Sequence, residues 1–203
     1  MALDVQRYES DLGDLPEFIR AASGVGGTAE ALVEGAESPL ELVGPFPVYS
    51  GDPREIAAGR WDGVEQSGWR ALARRDGAPS GVVGIVEIEG KPAYSLRNAE
   101  AAEAFAATLA VATRLEAEGR DYEVRWFTLP SIYLTALWLK GEEDLFLPTR
   151  AGTAERPGAE PVSRSDVEKI VADLVEQLSR SHDESTAASL EGLAPDPGTR
   201  SGL

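Results

Sequence analysis

Few side chains in this sequence could carry chemistry. His182 is the only histidine, it sits beside Asp183 near the end of a helical pattern, and the chain has no cysteine. An imidazole works as a general base only when fixed neighbours orient it. At a helix C-terminus its ordinary role is that of a favourable cation. Without cysteine there is no disulfide, thiol nucleophile or thiolate zinc site. Two sets of carboxylates stand out, Glu87 with Glu89 and the run Glu142, Glu143, Asp144. The first pair shares one face of a strand pattern and the second occupies a turn, whereas acid–base work or a hard cation needs carboxylates converging from separate elements. The segment GVGG before Thr28 has the composition of a glycine loop, but no lysine follows it, so it reads as punctuation and not as a phosphate cradle. No G-x-S-x-G, H-E-x-x-H, G-x-G-x-x-G or calcium-loop pattern occurs. No catalytic, metal-ligating or cofactor-binding residue is nominated, and no cofactor is expected.

Recognition residues are easier to nominate. Arg125 stands between Val124 and Trp126 in an aromatic stretch, where a guanidinium binds a carboxylate, stacks on a ring or pairs within the sheet. Trp61, alone in a glycine-flanked loop, reads first as a lid over a core and second as an interface anchor. Tyr133 and Trp138 lie on a strand pattern that is apolar on both faces, the mark of a central strand or of a face awaiting a partner. Val167, Ile170, Val171, Leu174 and Leu178 recur at helical spacing and form an amphipathic stripe. With Trp61, Arg125, Tyr133 and Trp138 they make the candidate interaction surface.

The elements that must position these residues follow from periodicity. Residues 120–149 hold six of the fourteen aromatic side chains, Tyr122, Trp126, Phe127, Tyr133, Trp138 and Phe146, and are expected to form the floor of the core. Upstream, Trp69, Ala71 and Ala73 alternate with Arg70, Leu72 and Arg74. A turn at DGAPSG leads into VVGIVEIE and then, past Glu89-Gly90-Lys91-Pro92, into AYSL, a three-strand meander. Asn98 to Gly119 is bounded as a helix with an alanine-rich face, suited to close approach to a sheet. Pro45 and Pro47 each remove a backbone donor, so LELVGPFPVY is expected at a sheet edge or as an extended arm. The hairpin after Lys140 is expected to stop at Pro148, and Ser165 with Glu168 reads as the capping box of the last helix.

The expected architecture is α+β, an antiparallel sheet of about five to six strands packed on a central helix. The C-terminal helix either completes that helical layer or reaches to a partner. The expected divisions are short helices and a glycine-rich linker over 1–40, the core domain over 41–150, a Pro/Gly linker over 151–162, the amphipathic helix over 163–182 and a disordered tail over 183–203, with flexible termini. The order of elements is similar to that of small acidic dimeric chaperones for secreted proteins, a likeness of architecture alone.

Composition bounds the partners. The net charge is −16, which argues against direct binding to nucleic acid or an anionic membrane, since either needs a basic surface. The acidity lies in the flanks. Residues 1–59 carry 3 basic and 11 acidic groups, 60–150 carry 11 and 14, and 151–203 carry 5 and 10. No apolar run approaches a membrane span and the N-terminus lacks a signal-peptide pattern, so no membrane insertion and a cytoplasmic location are expected. The leading expectation is a non-enzymatic interaction protein, an adaptor, accessory or chaperone-like subunit that binds another protein or a second copy of itself. The alternatives are an acidic inhibitor or immunity-like protein that masks a basic surface, and a small-ligand binder or enzyme with a cleft near Trp61 and Arg125.

Overall fold

In the computed structural model the described residues are 41–89, 91–97, 99–156 and 158–191. The expectations for residues 1–40, for 192–203 and for the His182 side chain lie outside them. In chain order the elements are β1 (Glu41–Ser50), α1 (Pro53–Ala57), β2 (Glu65–Arg75), β3 (Ala78–Ile88), β4 (Lys91–Arg97), α2 (Ala99–Ala117), β5 (Glu123–Leu129), a 3-10 turn (Pro130–Ile132), β6 (Leu134–Lys140), β7 (Leu145–Ala151), β8 (Ala154–Glu155), β9 (Val162–Ser163) and α3 (Arg164–Glu191).

The class is α+β, and the sheet is larger than the five to six strands expected. Eight strands lie in the order β4-β3-β2-β1-β5-β6-β7-β8, and β9 pairs with β7 as well. The meander β2–β3–β4 forms as the alternation implied. Its first turn places Asp76 and Gly77 at φ 50° and 78°, the left-handed pair that a two-residue hairpin needs.

The proline-bearing strand β1 is not at an edge. It lies between β2 and β5, antiparallel to the first and parallel to the second. The sheet accommodates the prolines because the ladder is incomplete around them. A bulge between Val43 and Phe46 removes Pro45 from the register with β2, and β5 meets β1 only at Val48 and Tyr49. Pro148 likewise does not end β7, which continues to Ala151. A register shift falls there, with Ala136 opposite Pro148 and Thr135 opposite Arg150, so Thr149 is the extra residue of a bulge.

Both faces of the β5–β7 half are buried by the chain itself. Successive residues of β5 and β6 alternate between two cores. Val124, Trp126, Leu137 and Leu139 belong to one, with Phe46, Leu72, Phe105 and Leu109. Phe127, Leu129, Ala136 and Trp138 belong to the other, with Ile56, Phe146, Val167 and Val171. The helix α2 covers the first face. Its buried alanines Ala102, Ala104 and Ala112 let the helix approach closely, and Phe105 meets Trp126 edge-on at 4.3 Å. On the opposite face α1, the Trp61 loop and α3 form the cover. The C-terminal helix therefore neither completes the α2 layer nor projects away, because its stripe is apolar and this second sheet face is the surface left to bury it.

The segment expected as a linker is tied to β7 at both ends. Gly152, at φ 62°, turns β7 into β8, and Val162 and Ser163 pair with Phe146 and Leu145. Helix α3 starts earlier than the Ser165 box implies. Ser163 is its cap: its hydroxyl accepts from the Asp166 amide at 3.2 Å and donates to the Asp166 carboxylate at 2.7 Å. Those bonds, with Lys169 beside the same carboxylate, hold Asp166 below the usual range. Glu168 faces Trp61 instead. The helix also runs on to Glu191, past the expected end at 182, as the alanines of STAASLE favour. Ser163→Ala is expected to lower stability by about 1 kcal/mol through loss of the cap, measured by urea unfolding, whereas Ser165→Ala should leave the midpoint unchanged.

Candidate functional site

On the α2 face, under the first turns of that helix, the sheet leaves a cavity walled by Arg70, Arg97, Arg150, Trp126, Thr135 and Thr149. Five strands supply these groups. Arg70 is on β2, two residues before the core residue Leu72, so the period of the strand aims it into the same face. Arg97 closes β4. Trp126 comes from β5, Thr135 from β6, and Thr149 and Arg150 from the bulged end of β7. The roof is Ala101 and Ala104 of α2, whose short side chains leave the space open.

The site is built of donors. Among the described residues no acidic side chain lines it, and Glu100 and Glu103 of α2 are exposed. The Arg70 guanidinium lies over the Trp126 ring, 5.1 Å from its centroid, which supports its flat face and leaves its edge for hydrogen bonding. Its Nη1 is buried with no hydrogen-bond partner, and so is the indole Nε1 of Trp126. Burial, and then the charge of Arg97, push the Arg70 guanidinium down to about 9, so it stays cationic at neutral pH. Arg150 is engaged: its Nε donates to the Gly152 carbonyl at 3.1 Å and its guanidinium lies 5.4 Å from the Tyr133 ring. The Thr149 hydroxyl donates to the Thr135 carbonyl at 3.2 Å. Arg97 is exposed, so the cavity reaches solvent on its side. The first turn of α2 adds the positive end of a helix dipole. A buried guanidinium N–H without an acceptor is costly, and at Arg70 it marks a place where an acceptor from outside the chain would be stabilising.

The residues nominated by sequence are placed elsewhere, with one exception. Trp61 is half-buried against Phe127, Phe146 and Trp138, at 5.4, 5.5 and 6.1 Å between ring centroids. Its Nε1 donates to Glu168 Oε1 at 2.8 Å, and Arg164 lies 4.6 Å from its ring. Trp138, Val167 and Val171 are 7%, 2% and 0% exposed, while Ile170 and Leu174 pack at the rim of the same core. Arg125 makes two hydrogen bonds to Glu123, at 3.0 and 2.7 Å, and lies over Tyr49 and Trp138. Pairing and ring stacking thus account for it on the α3 face. Leu178 is exposed. Tyr133, 56% exposed and at a left-handed φ of 53°, is the exception, since Arg150 joins it to the cavity.

Sequence reasoning missed Arg70, Arg97, Trp126, Thr135, Thr149 and Arg150 as a set. One signal was available: an arginine on the strand face that carries Leu72 must be either solvated at an edge or buried with a purpose. Among the described residues no helix is long and apolar enough to cross a membrane. Compared with protein-family models, curated proteins and solved structures, the chain matches none.

Proposed function

We propose that this protein is a non-enzymatic binding module that recognises another protein through one anionic group seated among Arg70, Arg97 and Arg150. The observation that carries the reading is the buried Nη1 of Arg70 without a partner, beside an unpartnered Nε1 of Trp126, in a cavity on whose walls no acid stands among the described residues. A group from outside the chain would supply the missing acceptor. The cavity is small, about 20 Å³, room for about one water-sized atom, so only the tip of an anionic group would enter. The rest of such a ligand would lie on the surrounding surface, where exposed Tyr133 offers an aromatic anchor of the kind interfaces use. The overall negative charge opposes an anionic partner at long range, so recognition would rest on the local field of the cavity and not on steering.

The test is a titration of the full chain with sulfate, phosphate and acetate at constant ionic strength, read by tryptophan fluorescence and by thermal unfolding. At least one anion is expected to give a saturable response that Arg70→Met abolishes. General salting effects act on both proteins alike, so equal responses in the two would remove the reading.

A further inference from the structure

We infer that the face of β2–β4 opposite α2 is the seat of the first forty residues of the same chain, held there by Phe18 and its apolar neighbours. This face is independent of the cavity, because Arg70 and Leu72 lie on the α2 side. The period of the strands turns Trp69, Ala71 and Ala73 the other way, where Ala71, Val83 and Leu96 form one row across three strands and Trp69, Ile85 and Tyr94 the next. Ala71, Ala73 and Val83 are 0% exposed and Ile85 is 1% exposed, although none of the four belongs to either core. The Tyr94 Oη is buried as well. Neighbouring strands shield a side chain only at its flanks, so burial this complete needs a layer on top.

Among the described residues the helices pack elsewhere. α2 lies on the Leu72 and Val82 side, while α1 and α3 pack on each other and α3 reaches β7, β9 and the 3-10 turn. The burial is that of one chain, so neither a second copy nor another protein supplies the cover. Residues 192–203 carry only Leu193 and Leu203 as large apolar side chains, too few to cover three strands. The first forty residues carry Leu12, Leu15, Phe18, Ile19 and Ala22 at helical spacing. They also join the fold at the right place. Leu42 lies opposite Ala73, so the chain enters β1 at the border of this face. From Ala73 to Trp69 the face is about 14 Å long at the rise of a strand, and the stretch from Asp14 to Ala22 covers about 13 Å at the rise of a helix. Ala71, Ala73 and Gly81, opposite Ala73, leave a shallow trough beside Trp69 and Ile85. A single large side chain fits such a trough, and Phe18 is the one phenylalanine of the forty.

The experiment uses the full chain with the photoreactive p-benzoylphenylalanine in place of Phe18 and, in a second variant, in place of Leu15, and maps the cross-links by mass spectrometry. The expected links lie within one chain and fall on residues 69–96. A second measurement uses the absence of cysteine, which makes an introduced thiol unique. The thiol of Val83→Cys should be protected from an aromatic disulfide reagent, and adding Phe18→Asp should speed its modification about tenfold or more, because the segment then loses its main buried side chain and opens more often. Val171→Cys, buried under α3, should keep its protection when Phe18→Asp is added, which separates release of the segment from global unfolding. Cross-links that miss residues 69–96, cross-links between two chains, a Val83→Cys thiol indifferent to Phe18→Asp, or an equal rise at both thiols overturns the inference.

Discussion

Arg70→Met is expected to make the ligand-free protein more stable by about 1–4 kcal/mol, the range found when buried ion pairs are replaced by apolar side chains of similar volume. The cause lies in the cavity. Burial, and then the charge of Arg97, lower the Arg70 guanidinium to about 9, which means that the folded state holds this proton less willingly than the unfolded state does. From about pH 9 up to the ordinary arginine range the unfolded chain binds more protons at this site, so its contribution to stability rises with pH in that window. Below pH 9 the cost is present in full. Methionine removes it, keeps the stem's packing on Trp126, and should flatten that part of the difference between the two pH curves. The measurement is urea unfolding of both proteins at pH 7 and at steps up to pH 11. A bound anion would relieve the same cost in the wild type, so the advantage of the variant should shrink in saturating phosphate. Destabilisation by more than about 1 kcal/mol, a size typical of lost packing and hydrogen bonds, would instead make Arg70 a structural residue of the α2 face.

Trp61→Ala is expected to produce the largest loss of stability, about 3–5 kcal/mol, as when a large aromatic is cut back in a core. The ring closes the second core by touching Phe127, Phe146 and Trp138 at once. It is also the side chain through which the loop after α1 holds α3, by the bond to Glu168 and the stacking of Arg164. Its removal opens a void and leaves the half-buried Glu168 with only Arg164, at 3.6 Å. The consequence should be local before it is global. Limited proteolysis is expected to cut within 164–181 in the variant at protease levels that leave the wild type intact, because opening of α3 becomes easier. Trp61→Phe separates the two contributions: it retains most of the packing and loses the hydrogen bond, with a penalty of about 1 kcal/mol. Wild-type resistance in Trp61→Ala would show that Val167 and Val171 alone dock the helix.

The local pattern of this chain was legible because it depends only on neighbours in sequence. Alternation set the strands of the meander and put Arg70 and Leu72 on one face. Caps and spacing set α2, and the stripe from Val167 to Leu178 set α3, although its cap was read two residues late. What could not be read is which distant strand lies beside which. The parallel contact of Val48 with Trp126 places Arg70 next to an indole far along the chain, and the bulge at Pro148 turns Thr149 and Arg150 toward the same space. Local periodicity carries no term for such pairings, which are chosen by the burial of whole faces. The same competition decided the fate of the sequence's candidate surface. An apolar stripe records that a helix must be covered, and only the arrangement of the sheet decided that its own second face would cover it. The sequence by itself determined an acidic α+β protein without cysteine and with one histidine; the tertiary structure alone decided that Arg70 stacks on Trp126 in a cavity that Arg97 and Arg150 also line.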